Sequence, residues 1–145
     1  MPRLKPQQIL ILDTTLRDGQ QAPGASMSQK KQIAYAQHAH NLGIDVLDAG
    51  FPSSNKTHFE SVHSITRDLT FQHSPMTICA LCQLREDQLQ TTMKALLPAV
   101  KTNKAQVYCY VPSSPALMHA SLGKLAQDKK TIINRIARLF SMAYQ

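Results

Sequence analysis

The sequence contains no tryptophan, only three cysteines and no long apolar run. Cys79, Cys82 and Cys109 make an odd set without a regular framework, so we expect reduced thiols rather than a secreted disulfide scaffold. No apolar run approaches the roughly 20 residues that a membrane span needs, and residues 1–8 are not followed by the apolar core of a signal peptide. These absences predict a cytoplasmic protein with no membrane partner.

Acidic residues are scarce. The sequence has 9 Asp and Glu but 16 Lys and Arg, which gives a formal net charge of +7. The basic residues are scattered, with Lys30-Lys31 and Lys129-Lys130 as the longest basic runs, so we expect no nucleic-acid partner. Positive charge also suits a substrate that carries phosphates and carboxylates. The 145 residues, 43% of them hydrophobic, predict one folded domain over residues 1–145.

The first third of the chain predicts a strand followed by a helix. The apolar run from Ile9 to Leu12 is continuous rather than alternating, which indicates a strand buried on both faces. Ser26 with Gln29 three residues later forms a capping-box start for a helix, and Gly43 is the expected stop.

The same strand-helix unit recurs three more times. Strands are predicted at residues 44–49, 77–81 and 106–111. Each is followed by apolar residues at helical spacing, the last helix running to the C-terminus. The three predicted stripes are Phe59, Val62, Ile65 and Leu69; Leu89, Met93, Leu96, Leu97 and Val100; and Ile132, Ile133, Ile136, Leu139 and Phe140.

Strands that alternate with helices predict an α/β fold with a parallel sheet. Two architectures fit this pattern. An open doubly wound sheet needs no more residues than these, whereas a closed eight-stranded barrel takes about 250, so that this chain would be half of one. In both architectures ligands bind at the carboxyl ends of the strands, which places residues 13–18, 48–52, 81–85 and 112–115 on one functional rim.

The first rim loop concentrates charge, since Asp13, Arg17 and Asp18 follow the first predicted strand directly. A carboxylate beside a guanidinium can bind a hard divalent cation, while the arginine stabilises negative charge that develops on a substrate oxygen. A structural Asp-Arg pair that closes the loop is the alternative. The residue types alone leave both interpretations open.

Several motifs resemble the 2-isopropylmalate synthase branch of a barrel family that also includes homocitrate synthases, citramalate synthases and hydroxymethylglutaryl-CoA lyases. The first motif, DTTLRDG at 13–19, is shared across that family. The others are Gln21, PGASM at 23–27, LGIDV at 42–46, AGFP at 49–52 and SSP at 113–115. The similarity extends from about residue 9 to the end of the chain.

The resemblance implies a TIM-type (β/α)₈ barrel, of which this chain covers the first four βα units. It implies an acyltransferase that condenses acetyl-CoA with the α-keto acid 3-methyl-2-oxobutanoate in leucine biosynthesis. Arg17 would be catalytic and stabilise the forming alkoxide, and Asp18 would bind a divalent metal, Mn²⁺ or Mg²⁺, together with a His-x-His pair from a late strand. The remaining implied substrate-binding residues are Gln21, Asp48, Tyr108 and Ser114.

The sequence departs from the family pattern at three places. Asp48 stands where the family usually has glutamate, and Tyr108 stands where it usually has a histidine that contacts the keto acid. The late-strand histidines, the general base and the C-terminal leucine-sensing domain have no counterpart. His38-Ala39-His40 is no substitute, because residues two apart lie about 200° around a helix.

Two hypotheses therefore remain for the whole chain. It is either a truncated member of the synthase family or a non-catalytic half barrel. In the second case it would form a homodimer or pair with a complementing chain that supplies strands five to eight.

Cys79 and Cys82 have the spacing of a metal or redox pair. Zinc would require a second such pair, and a redox site would open a helix in a thioredoxin-like unit. We therefore assign no function to this spacing.

Overall fold

The computed structural model describes residues 9–124 and 128–143 of the chain. Over these residues the strands are β1 (Leu12–Asp13), β2 (Val46–Asp48), β3 (Thr77–Gln83) and β4 (Ala105–Tyr110). The helices are α1 (Gln29–Asn41), α2 (Lys56–Phe71), α3 (Glu86–Val100), α4 (Pro115–Leu122) and α5 (Lys129–Ala143). The N-terminal segment judged for a signal peptide and the last two residues of the predicted final helix lie outside the described part.

The four strands form one parallel sheet in the order β1-β2-β3-β4. A doubly wound sheet reverses its strand order at a switch point, and no reversal occurs here. Crossovers between parallel strands are right-handed as a rule, so crossovers that all move in the same direction place their helices on one face of the sheet. In agreement, α1 packs on α2, α2 on α3, and α3 on α5. This topology is that of successive βα units of a barrel.

One face of the sheet, which we call the covered face, packs against this helical layer. Leu47, Ile78 and Ala80 on the strands are at most 1% exposed. They meet buried helix residues of α1, α2 and α3, which are Ala36, Ala39, Val62, Ile65, Leu69, Ala95, Leu96 and Ala99. Each large side chain buried here contributes roughly 1.5–3 kcal/mol relative to an exposed one. The covered face is therefore the source of most of the stability.

The other face of the sheet, which we call the open face, carries no helix among the described residues. Its members follow from strand alternation and register: Leu12, Val46, Asp48, Thr77, Cys79, Leu81, Gln83, Gln106, Tyr108 and Tyr110. Leu12, Tyr108 and Tyr110 are 54%, 48% and 43% exposed. Over the part of the chain described, no helix is long and apolar enough to cross a membrane.

The prediction that the first strand is buried on both faces is wrong. Ile9 is 84% exposed and Leu12 is 54% exposed, and only Leu12 and Asp13 adopt strand structure. The segment lies at the edge of the sheet, and its open-face side has no second layer in the described structure. A continuous apolar run predicts burial on both faces, but burial also requires a second layer on each face, so the run overstates the burial found here.

The start of α1 also differs from the prediction, because its cap is Ser28 rather than Ser26. The Ser28 hydroxyl accepts a hydrogen bond from the Lys31 amide at 3.4 Å. The Met27 amide instead donates to Oε1 of Gln20 at 3.1 Å, which keeps residue 27 outside the helix. The predicted stop is confirmed, since α1 ends at Asn41 and Gly43 has a φ of +77°.

The apolar stripe predicted for α3 is only partly correct. Leu89 and Leu96 are buried, but Leu97 and Val100 are 63% and 53% exposed. The smaller residues Thr92, Ala95 and Ala99 are buried in their place. The helix is rotated so that small side chains face its neighbours, which allows α3 to approach the sheet and α2 closely.

The last predicted unit contains one helix more than expected. Helix α4 begins at Pro115 directly after Ser114, a favoured position for proline in the first helical turn. On α5, Ile132 and Leu139 are buried as predicted, whereas Ile133 and Phe140 are 63% and 57% exposed. The predicted stripe on α5 is therefore wider than the face that it buries.

Candidate functional site

The loop after β1 is held in a tight turn that presents Arg17 and Asp18 at the carboxyl end of the sheet. The Thr14 carbonyl accepts hydrogen bonds from the amides of Arg17, Asp18 and Gly19 at 3.1, 2.8 and 3.3 Å. Leu16 is 2% exposed and belongs to the main core, so it anchors the turn from below. The backbone hydrogen bonds and the packing of Leu16 together fix the backbone positions of Arg17 and Asp18.

Arg17 forms an ion pair with Asp48 at the end of the neighbouring strand β2. Its Nε donates to Oδ2 of Asp48 at 2.8 Å, and Asp48 is only 1% exposed. The guanidinium remains charged at all ordinary pH values. The buried carboxylate therefore positions Arg17, whose side chain keeps 21% exposure.

In a simple ion pair the pKa of the acid falls and the pKa of the base rises, but here both pKa values are raised. Desolvation by burial raises the pKa of Asp48 and outweighs the hydrogen bond and charge of Arg17, which lower it. The hydrogen bond to Asp48 raises the pKa of Arg17 despite the desolvation of the guanidinium. We treat the pair as ionised because a 2.8 Å contact to a permanent cation is a strong charge-assisted hydrogen bond.

Gly50 shapes the loop that follows Asp48. Its φ is +133°, which residues with a side chain rarely adopt, and its amide lies 3.3 Å from Oδ1 of Asp48. Its carbonyl accepts from the Leu81 amide at 2.8 Å, and a Cβ placed there would come to 3.4 Å from Val62. This glycine of the AGFP motif thus ties Asp48 to β3.

Asp18 is the accessible carboxylate of the group. Its side chain is 63% exposed, and its Oδ1 lies 3.1 Å from Nη1 of Arg17. With Arg17, Asp18 and Asp48 ionised, the cluster has two negative charges and one positive charge, a formal net charge of −1. The local field therefore favours a cation beside Asp18, although the chain as a whole is basic.

Asp13 does not join this cluster, although the sequence grouped it with Arg17 and Asp18. Its Oδ2 accepts a hydrogen bond from the Tyr35 hydroxyl at 2.7 Å, and its Oδ1 accepts from the Thr15 amide at 2.8 Å. In register it lies beside Leu47, so it faces helix α1 on the covered face. Asp13 therefore has a structural role, but through Tyr35 and Thr15 rather than through the Asp-Arg pair that the sequence left open.

The remaining predicted site residues differ in how near they lie to Arg17. Tyr108 lies on the open face beside Leu81, on the same side of the sheet as Asp48, to which Arg17 is bonded. Gln21 is exposed in the short 3₁₀ turn Gly19–Gln21, and Ser114 is exposed at the start of α4. The structure thus brings Arg17, Asp18 and Asp48 together with Tyr108 on their side of the sheet.

Two open-face residues were not named as site candidates by the sequence analysis, although Gln83 lies in its predicted rim segment 81–85. Nε2 of Gln83 donates to the hydroxyl of Tyr110 at 3.2 Å, across the β3–β4 pair. Strand alternation from Tyr108 would have identified Tyr110, and parallel register would then have identified Gln83. Both extend the polar surface near the carboxyl ends of the strands.

The described residues alone do not fit a complete divalent-metal site. No group of three or more His, Cys, Asp and Glu side chains converges within residues 9–124 and 128–143. Asp18 offers one oxygen toward solvent, while Oδ2 of Asp48 is taken by Arg17. His38 and His40 lie on α1, and Nδ1 of His40 is 3.0 Å from the Ser74 hydroxyl. Further ligands would have to come from elsewhere.

The sequential parallel sheet, with its charged cluster at the carboxyl ends of the strands, defines an α/β-barrel type of protein. The profile of the HMGL-like family matches residues 8–145, and the chain belongs to that family. Its members are TIM barrels, so the four strands represent about half of the barrel, as expected from the resemblance. The family is generally dependent on divalent metals.

Curated relatives are named 2-isopropylmalate synthase. One from a Nostoc species is 35% identical over 120 residues, covering 83% of this chain and 22% of that protein. One from Burkholderia cenocepacia is 36% identical over 137 residues, covering 94% and 25%. One from Prochlorococcus marinus is 34% identical over 128 residues, covering 88% and 23%. The chain thus spans about a quarter of the length of these relatives.

Proposed function

We propose that this chain contributes one wall of an active site that condenses acetyl-CoA with 3-methyl-2-oxobutanoate, as a 2-isopropylmalate synthase. The observation that carries the proposal is the Arg17 guanidinium, which the buried carboxylate of Asp48 holds beside exposed Asp18. Family membership and the names of the relatives support the same reaction class. Homocitrate and citramalate synthases remain alternatives that differ in the keto acid.

In this proposal Arg17 stabilises negative charge on the keto-acid oxygen. In the part of the chain that the structure describes, nothing accepts a hydrogen bond from its Nη2, so this nitrogen can donate to a substrate oxygen. Asp48 acts through Arg17 by fixing the guanidinium plane before substrate arrives. A preorganised donor that points at a developing oxyanion lowers the activation free energy by about 2.7–4 kcal/mol.

Asp18 is proposed as one ligand of a divalent ion, Mn²⁺ or Mg²⁺. Such an ion polarises a carbonyl as a Lewis acid when bound. The exposed oxygen of Asp18 and the negative charge of its cluster support this assignment. The described residues supply a single ligand, so the other ligands of such an ion would come from outside them.

Tyr108, Gln21 and Ser114 are proposed to contact substrate from the rim. The phenol of Tyr108 lies on the side of the sheet that carries Asp48 and its partner Arg17, where it can donate to a substrate carboxylate. Gln21 and Ser114 are exposed polar groups in the loops after β1 and β4. Asp48, which we expected to bind substrate, is better explained as the residue that positions Arg17.

A matched pair of variants tests the metal assignment on the purified chain. We expect Asp18→Ala to weaken Mn²⁺ binding by at least about tenfold, since even loss of a supporting contact costs that much. Asp87→Ala is the control, because Asp87 is equally exposed and also contacts an arginine, Arg85. Equal Mn²⁺ affinity in the two variants would remove Asp18 from the proposed site.

The reaction itself is tested by incubating the chain with acetyl-CoA, 3-methyl-2-oxobutanoate and Mn²⁺ and following loss of the thioester. Formation of the condensation product, abolished by Arg17→Lys, supports the proposed function. Replacement of the keto acid by other 2-oxo acids distinguishes the alternative synthases. Absence of both turnover and Mn²⁺ binding would contradict a self-sufficient enzyme.

The exposed open face favours a second candidate, a non-catalytic half barrel that pairs with another chain. Strands β1 and β4 are the edges of the described sheet, and unpaired edges invite further strands. A second copy could place its β1 beside β4 and its β4 beside β1, giving eight parallel strands. Light scattering that reports twice the chain mass of 16.1 kDa would favour this candidate, and a monomer would contradict it.

A further inference from the structure

Two of the three cysteines lie directly opposite each other on neighbouring strands. Cys82 of β3 is in register with Cys109 of β4, and both face the helical layer. The sequence spacing had suggested Cys79 and Cys82, but residues three apart on a strand point to opposite faces. Cys79 lies on the open face opposite Gln106 and is therefore separated from the pair.

The spacing of the two strands is compatible with a bond between the two sulfurs. Neighbouring strands lie about 4.8 Å apart, within the roughly 4.4–6.8 Å that separates the Cα atoms of disulfide-bonded cysteines. Side chains on adjacent parallel strands must draw slightly closer for the sulfurs to join. Strand β4 is an edge of the described sheet, so it has one neighbouring strand to constrain it there.

The two thiols are chemically unequal. Cys82 is fully buried, whereas Cys109 is partly exposed. The Cys82 thiol has one hydrogen and two acceptors, the Gln83 carbonyl at 2.9 Å from its sulfur and the sulfur of Cys109. When it donates to Cys109, this hydrogen bond raises the pKa of Cys82 and lowers the pKa of Cys109. Cys109 is thus the more reactive nucleophile.

A small cavity gives access to Cys109. It has a volume of about 30 Å³ and is bordered by Leu89, Val107, Leu139 and Phe140 between β4, α3 and α5. The cavity has room for at least one water-sized molecule, so a small oxidant such as hydrogen peroxide can approach Cys109.

We propose that Cys82 and Cys109 are a redox pair that forms a reversible disulfide in response to hydrogen peroxide. The Cys109 thiolate attacks one peroxide oxygen, the O–O bond breaks, and the departing hydroxide takes up a proton to become water. Cys109 is then a sulfenic acid. The Cys82 sulfur attacks the Cys109 sulfur, the S–O bond breaks, and a second water leaves with the Cys82 proton. Two thiols are oxidised as one peroxide is reduced to two waters.

Disulfide formation would change the open face by shifting the backbone of β4. Cys109 lies between Tyr108 and Tyr110, whose side chains point to the opposite side of the sheet. Drawing Cys109 toward β3 therefore moves the backbone that carries both phenols. The pair is thus placed to couple the redox state of the covered face to the position of Tyr108.

The test treats the full chain with one equivalent of hydrogen peroxide at neutral pH, followed by alkylation, intact mass measurement and peptide mapping. We expect a monomer lighter by two hydrogen atoms before alkylation and carrying one alkyl group, on Cys79, after it. Linked peptides should contain Cys82 and Cys109, and dithiothreitol before alkylation should restore three alkylatable thiols. Cys79→Ser is the matched control and should behave like the unmodified chain. Cys82→Ser should accumulate a sulfenic acid on Cys109 that dimedone traps.

Alkylation without peroxide provides a second measurement on the unmodified chain. Cys109 should react with iodoacetamide at least about tenfold faster than Cys79 at neutral pH, because the thiolate is the reacting species. A linkage that includes Cys79, a disulfide only between molecules, or three thiols that remain alkylatable after peroxide would each overturn the proposal. If Cys82→Ser does not fold, the peptide map of the unmodified chain after peroxide treatment shows whether Cys82 and Cys109 are linked.

Discussion

The two faces of the sheet differ in what their residues contribute. On the covered face, Leu47, Ile78 and Cys82 are buried against helices. On the open face, Leu12 and Tyr108 are about half exposed, and buried Asp48 is paired with Arg17 rather than with apolar groups. The same four strands therefore provide a core on one side and a charged, accessible surface on the other.

This difference explains why the carboxyl ends of the strands can carry chemistry at little cost to folding. The helical layer supplies the apolar burial, so residues such as Asp18 and Tyr108 are free to be polar and exposed. The core also holds the rim in place, because Leu16, the neighbour of Arg17 in the chain, is buried in the core. The apolar core thus positions the site, but the site is not part of that core.

The largest expected effect is the loss of a leucine from the covered face. Leu47→Ala removes a fully buried side chain and should lower the free energy of unfolding by about 3–5 kcal/mol. Leu12→Ala, the matched change on the open face, should cost less than about 1 kcal/mol because Leu12 is 54% exposed. Urea unfolding of both variants measures the difference, and equal losses would show that the open face is covered in solution.

The next largest effect concerns the buried charge on the open face. Arg17→Met leaves ionised Asp48 buried without its cation, which should cost about 3 kcal/mol at neutral pH. Since burial raises the pKa of Asp48, protonation relieves this cost, so stability should recover as the pH falls through that pKa and decline again as it rises.

Arg85→Met is the control for this prediction, because both side chains of the Arg85–Asp87 pair are exposed. Unfolding of this variant should be indistinguishable from that of the unmodified chain. If Arg17→Met unfolds as the unmodified chain does at every pH, the Arg17–Asp48 pair does not hold the site in solution.

The smallest effect concerns Asp13, the carboxylate of the covered face. Burial raises its pKa, but hydrogen bonds from Tyr35 and Thr15 together outweigh this and lower it below the usual 3.8. Its contribution is therefore present above pH 3.8 and is lost as the pH falls through the lowered value. Asp13→Asn should cost at most about 1 kcal/mol at neutral pH, allowing for solvent screening, and nothing in strong acid.

Tyr35→Phe provides an independent check, because it removes the hydroxyl that donates to Asp13 while leaving the carboxylate in place. Acid titration of unfolding should show a reduced pH dependence in both variants. An unchanged slope between neutral and acidic pH in Asp13→Asn would contradict the assignment of Asp13 to a structural role.

Local patterns in the sequence predicted the repeated elements well. The spacing of Val62, Ile65 and Leu69 identified the buried stripe of α2, and Gly43 identified the end of α1. The same reasoning failed for Ile9–Leu12 and for Leu97, where hydrophobicity did not coincide with burial. Periodicity reports which face of an element is apolar, but burial depends on whether another layer exists to cover that face.

The candidate site was predicted in part. The position of Arg17 and Asp18 after the first strand followed from the motif and from the rule that parallel strands end on one rim. The sequence placed Asp13 in the same cluster, and the structure instead bonds it to Tyr35. Adjacent strand-end residues can face opposite sides of a sheet, so nearness along the chain did not decide which carboxylates meet Arg17.

The sequence by itself determined the alternation of strands and helices, the family and the rim on which Arg17 and Asp18 lie, because these depend on local pattern and on motif. Tertiary structure alone decided the sequential strand order, the pairing of Arg17 with Asp48 and the juxtaposition of Cys82 with Cys109. These contacts join residues about thirty positions apart, and only the pairing of neighbouring strands brings such residues together.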